Sequence, residues 1–253
     1  MNKHKRVVVA NWKMNPDTLD DARKIFAGTK RAAATLKKTI TVVCPSFVHV
    51  ANFTKLATPK ARVGAQDIFW EPRGSYTGEV SATMLREMGA THVIIGHAER
   101  RELGETNEVV AKKVGAALRE GLVAIVCIGE KHRDAQGEYL SFLREQLLAS
   151  LATVQKKNFD QLIVAYEPIW AIGKAEALNG AGMHEIVILI RKILNDAFGP
   201  EYAAHMPILY GGSVTPANTA DIVREGHVDG LLVGRQSLEP KQFADILKIV
   251  DGI

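Results

Sequence analysis

The stretch Val7-Val8-Val9-Ala10-Asn11-Trp12-Lys13-Met14-Asn15 decides between the two common α/β architectures. Its first four residues are apolar without polar alternation, as in a strand buried on both faces. An open doubly wound sheet usually follows such a first strand with a glycine-rich turn. Here the turn is Asn11-Trp12-Lys13-Met14-Asn15 and holds no glycine. Working outward, seven more runs of the same kind recur at 40–43, 61–64, 92–95, 123–128, 162–165, 207–209 and 230–233. Helical stripes lie between them. Val110, Val114, Ala117 and Leu118 form one, with Gly121 as its stop. Leu140, Leu143, Leu147, Leu151 and Val154 form a second, and Ile186, Ile190, Ile193, Leu194 and Ala197 a third, ended by Gly199-Pro200. Phe243, Ile246, Leu247 and Val250 form a fourth. Strict strand–helix alternation implies a parallel sheet, and eight units in 253 residues predict an α/β fold of one domain over 1–253, a closed (β/α)8 barrel.

Composition narrows the function. At 47% hydrophobic residues the chain has enough to pack a large core, which excludes global disorder. No apolar run approaches the roughly 18 residues of a membrane helix, so no membrane association is expected. The basic start, Met1 to Arg6, is followed by an apolar stretch that stops at Ala10, too short for a signal peptide. Cys44 and Cys127 each end an apolar run and read as buried reduced thiols, which points to the cytoplasm. No Cys or His spacing matches a zinc site, so no metal is expected. The net charge of +4 comes from basic residues interleaved with Asp and Glu, the pattern of a solvated surface and not of a nucleic-acid footprint. A mild positive field favours a small anionic substrate.

In such a barrel chemistry gathers where strands end. Strand 1 ends in Asn11 and Lys13, two apart and so on one face of an extended segment; a solvated turn with a snorkelling lysine is the plainer reading. Strand 4 runs into Gly96-His97-Ala98-Glu99-Arg100-Arg101. His97 is an acid–base candidate, and a helical turn starting there would aim N–H groups at the ring and disfavour imidazolium. A structural histidine is the alternative, and Glu99, Arg100 and Arg101 read as a structural ion-pair cluster. Strand 6 ends Tyr166-Glu167-Pro168-Ile169-Trp170-Ala171-Ile172-Gly173. A carboxylate between a barrel mouth and Pro and Trp is a candidate base, and the Gly- and Ala-containing run 171–177 a candidate lid. Strands 7 and 8 end in Gly211-Gly212-Ser213 and Gly234-Arg235, where backbone amides can cradle a phosphate. One base, one neutral electrophile, one cation and a phosphate cradle suit proton abstraction beside a carbonyl on a small phosphorylated molecule. A Schiff-base aldolase using Lys13 and a non-catalytic phosphate binder remain alternatives.

Asn11-Trp12-Lys13-Met14-Asn15, Gly78-Glu79-Val80-Ser81, Gly96 to Arg101, Cys127-Ile128-Gly129-Glu130, Ala165 to Gly173 and Tyr210-Gly211-Gly212-Ser213-Val214 together resemble the triosephosphate isomerase family, in order, over about Arg6 to Val250. The resemblance implies a TIM barrel that interconverts dihydroxyacetone phosphate and glyceraldehyde 3-phosphate without a cofactor, in glycolysis and gluconeogenesis. It implies Glu167 as base, His97 as neutral electrophile, Lys13 as electrostatic group and Asn11 as a positioner of the substrate oxygen. Glu99 and Cys127 support them from behind. The amides of Gly173, Ser213, Gly234 and Arg235 hold the phosphate. The lid comprises Pro168, Ile169, Trp170, Ala171, Ile172, Lys174, Ala175, Glu176, Ala177 and Leu178. The family's dimers imply a homodimer in which loop 66–79 enters the partner and brings Thr77 to its site.

Three departures stand out. Ala98 replaces the family's usual Ser. Lys174-Ala175-Glu176-Ala177-Leu178 replaces the usual Thr-Gly-Lys-Thr-Ala-like lid end. Arg235 replaces the second glycine of the phosphate loop, and its side chain is expected to turn outward and pair with a surface carboxylate. Segment 68–77 concentrates aromatic residues, a surface that a partner would cover.

Overall fold

The computed structural model describes residues 6–171 and 178–253. Eight parallel strands follow one another around a closed barrel: β1 (Arg6–Asn11), β2 (Thr39–Cys44), β3 (Ala61–Ala65), β4 (His92–Ile95), β5 (Val123–Ile128), β6 (Leu162–Tyr166), β7 (Ile208–Tyr210) and β8 (Gly230–Val233). Each pairs with its neighbour in sequence, and β8 returns to β1 with Val7 opposite Gly230. That pairing requires a glycine. A Cβ on Gly230 would lie 1.8 Å from the carbonyl oxygen of Val7.

Because side chains alternate across a strand, each strand feeds two cores. Val7, Val9, Val42, Cys44, Ile94, Ile125, Cys127, Ile163, Ala165, Leu209 and Leu232 form one buried cluster, the barrel interior. The alternate set, including Val8, Ala10, Val93, Ile95, Val126 and Val164, joins the helices in a larger one. This is why the strands read as nearly all-apolar runs and not as alternating ones.

The helices are α1 (Leu19–Ala34), α2 (Phe47–Thr54), α3 (Ala82–Glu87), α4 (Ala98–Glu102), α5 (Asn107–Arg119), α6 (Glu138–Ser150), α7 (Gly180–Phe198), α8 (Pro200–His205), α9 (Pro216–Arg224) and α10 (Pro240–Gly252). Their starts follow their caps. Thr18, Ser81, Thr106, Asn179 and Thr215 each accept an N–H from the first turn, and Thr215 with Asn218 completes a capping box. The expected stripes on α5 and α10 are buried throughout. Two others are overextended. Leu140 is 39% exposed and Val154 lies past the end of α6, while Ala197 is exposed on α7. The apolar face rotates off the core near helix ends, where a periodic pattern cannot detect it. No described helix is long and apolar enough to cross a membrane.

Candidate active site

The inner face of each strand continues into the mouth of the barrel. In β6, Ile163 and Ala165 face inward, so the same parity carries Glu167 inward next. Pro168 holds Glu167 extended, and the Glu167 N–H still donates to the Ile128 carbonyl at 2.8 Å, one step beyond the end of the strand. Two glycines make room for it. A Cβ on Gly129 would lie 1.8 Å from the Glu167 carbonyl oxygen, and one on Gly211 would lie 2.8 Å from Glu167 Cγ.

His97 arrives from β4 through Gly96, whose φ of +70° suits glycine. It caps α4, and the Glu99 N–H donates to its Nδ1 at 3.2 Å. Nδ1 therefore carries no proton, and Nε2 donates toward Glu167 Oε1 at 3.0 Å. Glu167 Oε2 accepts the Ala98 N–H at 3.2 Å, so a backbone amide holds the carboxylate beside the position where the family's serine hydroxyl would stand. The buried Cys127 thiol adds to the groups that favour the Glu167 anion.

The expected N–H at the ring is present, but its effect is not the expected one. Burial disfavours charge on His97, yet the adjoining Glu167 carboxylate, with Glu99 further off, outweighs burial and raises the ring above an ordinary histidine. Burial likewise works against the Glu167 anion, but His97, the Ala98 amide and the Cys127 thiol hold its carboxyl below the usual range. Without the imidazole, burial acts with less opposition and the carboxyl titrates higher. The acid limb of kcat/KM, which reports the free enzyme, is therefore expected to move to higher pH in His97→Gln, beyond any loss of rate. A pH profile with the limb unmoved would show that the ring does not set the base.

Asn11 ends β1, and its Oδ1 accepts the Lys13 N–H at 3.1 Å. The pair does not sit on one extended segment as expected: Lys13 has φ +54°, a left-handed conformation costly for a side-chain-bearing residue. The reason is Trp12, fully buried between them, which turns the chain inward. Gln66 holds the turn by donating to the carbonyls of Lys13 at 2.8 Å and Cys44 at 2.9 Å, and Ser46 Oγ donates to Lys13 at 3.0 Å. The Lys13 ammonium meets Glu99 at 2.5 Å. The anticipated cluster of Glu99, Arg100 and Arg101 is thus divided. Arg100 pairs with Asp67 at 2.9 Å and Glu105 at 3.0 Å, and Arg101 donates to the carbonyls of Gly96 and Cys127.

Gly234 lies beside that ammonium; a Cβ there would lie 3.5 Å from Lys13 Cε. Ser213 precedes the capped N-terminus of α9, with its carbonyl accepting from Asn218 at 2.8 Å. Arg235 opens a short 3-10 turn, Arg235–Leu238, and is exposed. The surface carboxylate expected as its partner is not found among the described residues, since the turn carries the side chain into solvent. Gly211, read from sequence as part of a phosphate cradle, gives space to the Glu167 side chain. Gly211→Ala is expected to displace the carboxylate by about 1 Å and lower kcat about a hundredfold with little change in melting temperature. Steady-state kinetics with a thermal melt checks this.

The first part of the expected lid is anchored. Pro168 and Ala171 are buried, Ile169–Ala171 form a 3-10 turn, and Trp170 Nε1 donates to Glu130 Oε1 at 2.9 Å. The same oxygen accepts from Tyr166 and Arg133. Leu178, assigned to the lid from sequence, is buried in the outer core against Gly182. Ile172, Gly173, Lys174, Ala175, Glu176 and Ala177 lie outside the described residues, and with them the amide of Gly173.

Gln66 and the Asp67–Lys113 pair had no signal in the sequence, because each acts across a long stretch of chain, and the motif that contains Glu130 does not show what it anchors. Lys113 is buried with its ammonium 2.6 Å from Asp67 and against Glu105. This cage ties the start of loop 66–79 to the α4–α5 segment that carries His97. Of the loop's aromatics, Tyr76 is exposed as expected, whereas Phe69 and Trp70 are half-buried. Ile68 is in the core, and Phe69 stacks on Trp70 with centroids 4.1 Å apart. Thr77 lies on the exposed stretch 72–79.

An acid–base pair and a cation brought together at the strand ends of a parallel barrel are built to move a proton on a small substrate, and the chain is a barrel isomerase. The family model for triosephosphate isomerase matches residues 6–250. The triosephosphate isomerase of Dictyoglomus thermophilum is 37% identical over 247 residues, covering 96% of this chain and 99% of that protein. That of Moorella thermoacetica is 41% identical over 244 residues, with 95% and 97% covered, and that of Symbiobacterium thermophilum 42% over 243, with 95% and 94% covered. The chain belongs to the triosephosphate isomerase family.

Proposed function

We propose that the chain interconverts dihydroxyacetone phosphate and glyceraldehyde 3-phosphate, with Glu167 taking a proton from the carbon beside the carbonyl and returning it to the neighbouring carbon, while a second proton passes from the hydroxyl oxygen to the former carbonyl oxygen. His97, donating through Nε2, and Lys13 stabilise the enediolate oxygens, with Asn11 positioning them. The observation that carries this reading is the contact of Glu167 Oε1 with His97 Nε2 at 3.0 Å, in a site that Lys13 and Gly234 share. Ser213, Gly234, Arg235 and Gly173 offer backbone amides to the phosphate, and run 168–178 excludes water. Glu99 orients the ammonium and Cys127 the carboxylate. The geometry does not favour a Schiff-base lysine: Lys13 is partly exposed and paired with Glu99, not held in an apolar pocket. A coupled assay with glyceraldehyde 3-phosphate tests the proposal. Turnover sensitive to Glu167 supports it, and a borohydride-trapped lysine adduct overturns it.

The working form in this reading is a cytoplasmic homodimer of a one-domain chain, 1–253, serving glycolysis and gluconeogenesis, with Thr77 reaching the partner's site. What supports it is exposed apolar surface on loops already tied together by Gln66 and Ser46. Met14 is 91% exposed and Val48 78%, with Phe47 beside it. Met14→Glu with Val48→Glu is expected to shift sedimentation toward monomer and reduce activity with it. A fully active monomer at micromolar concentration would sink the dimer.

A further inference from the structure

A second cleft, of about 400 Å³, lies between the C-terminal end of α5 and the turn that leads into β6. Both segments precede strand starts, so the cleft is at the end of the barrel opposite Glu167. Its size falls within the range of small-molecule sites, about 300–1,000 Å³. Arg119 lines one side and Lys157 the other, with Thr153, Gln155 and Asn158 as neutral polar groups, and no carboxylate lines it.

Arg119 and Lys157 are both exposed at the rim of the cleft, and one contact fixes the guanidinium. Arg119 Nη2 donates to the Trp70 carbonyl at 3.3 Å. A Cβ on Gly115 would lie 3.5 Å from Arg119 Nη1 and 3.1 Å from Thr153 Oγ1. Glycine inside a helix lowers its stability relative to alanine, and here the missing methyl leaves room for Thr153 to pack close to the helix at the floor of the cleft. Lys156 lies over the Tyr202 ring, whereas Lys157 lines the cleft. Among the described residues neither Arg119 nor Lys157 has a carboxylate partner.

We propose that this cleft binds a small organic anion with two phosphate groups, of the size of a sugar bisphosphate. Two cations from separate elements match two charged ends, the Arg fork matches phosphate oxygens, and the neutral groups suit hydroxyls between them. The site is separate from the catalytic one, so its test does not depend on turnover.

The probe is fructose 1,6-bisphosphate, titrated calorimetrically into the full chain in the presence and absence of glyceraldehyde 3-phosphate. Binding is expected to persist with substrate present and to weaken at least tenfold in Arg119→Gln/Lys157→Gln. Arg119→Lys, which keeps the charge but loses the planar fork, is expected to weaken it as well. These variants should keep the parent's kcat and KM, which also reports that they fold. No binding by the parent at millimolar probe, unchanged affinity in the double variant, or full displacement by the triose phosphate would each overturn the proposal.

Discussion

Glu167→Gln is expected to lower kcat by about 10³-fold, within the roughly 10²–10⁴ that a positioned general base contributes. The substitution is nearly isosteric. The amide oxygen can still accept the Ala98 N–H, and Gly129 and Gly211 still leave the room the side chain occupies. The fold should therefore survive, with KM close to the parent. Glu167→Asp keeps the charge but withdraws it by one methylene, and a displacement of about 1 Å costs about a hundredfold. Steady-state kinetics of both variants checks the order: Gln worse than Asp, each with a normal melting curve. A Gln variant near parental turnover would remove Glu167 as the base.

Lys113→Met is expected to destabilise the protein by about 3–5 kcal/mol, because it leaves buried carboxylates without their cation. Asp67 and Glu105 both contact this ammonium, and Arg100 compensates only from the partly exposed side. Burial already raises the Asp67 carboxyl despite the pull of Lys113, so the loss should fall there first. Asp67→Asn in the Lys113→Met background is expected to recover part of the stability. Urea unfolding monitored by circular dichroism measures both. A loss below about 1 kcal/mol, the scale of an exposed pair, would show that the cage carries no burial penalty.

The barrel was legible because its determinants are local. Val7 to Ala10 and 93–95 are continuous apolar runs, and Gly199-Pro200 ends α7 at the residue its chemistry indicates. Glu167 and His97 were legible for a related reason: each is a titratable residue directly after such a run. Lys13 was found, but not its backbone, since nothing near it in the sequence announces that Trp12 is swallowed by the core and Gln66 braces the turn from β3. Glu130 and Lys113 were not legible as anchors. A charged residue in a helix or after a strand reads as solvated, and only the closing of the barrel brings the partner that makes burial tolerable. The basicity of His97 belongs to the same class, because it depends on a carboxylate from another strand.

The seam between β1 and β8 has a consequence for synthesis. A ribosome delivers Lys13 long before Gly234, yet the two are neighbours in the folded chain. Until residues 230–233 emerge, β1 and β7 are open edges able to recruit a foreign strand. The nascent chain is therefore most adhesive while it is still inactive, and catalysis switches on with the pairing that removes both edges. Turnover in a translating extract thus counts completed barrels, not polypeptide made.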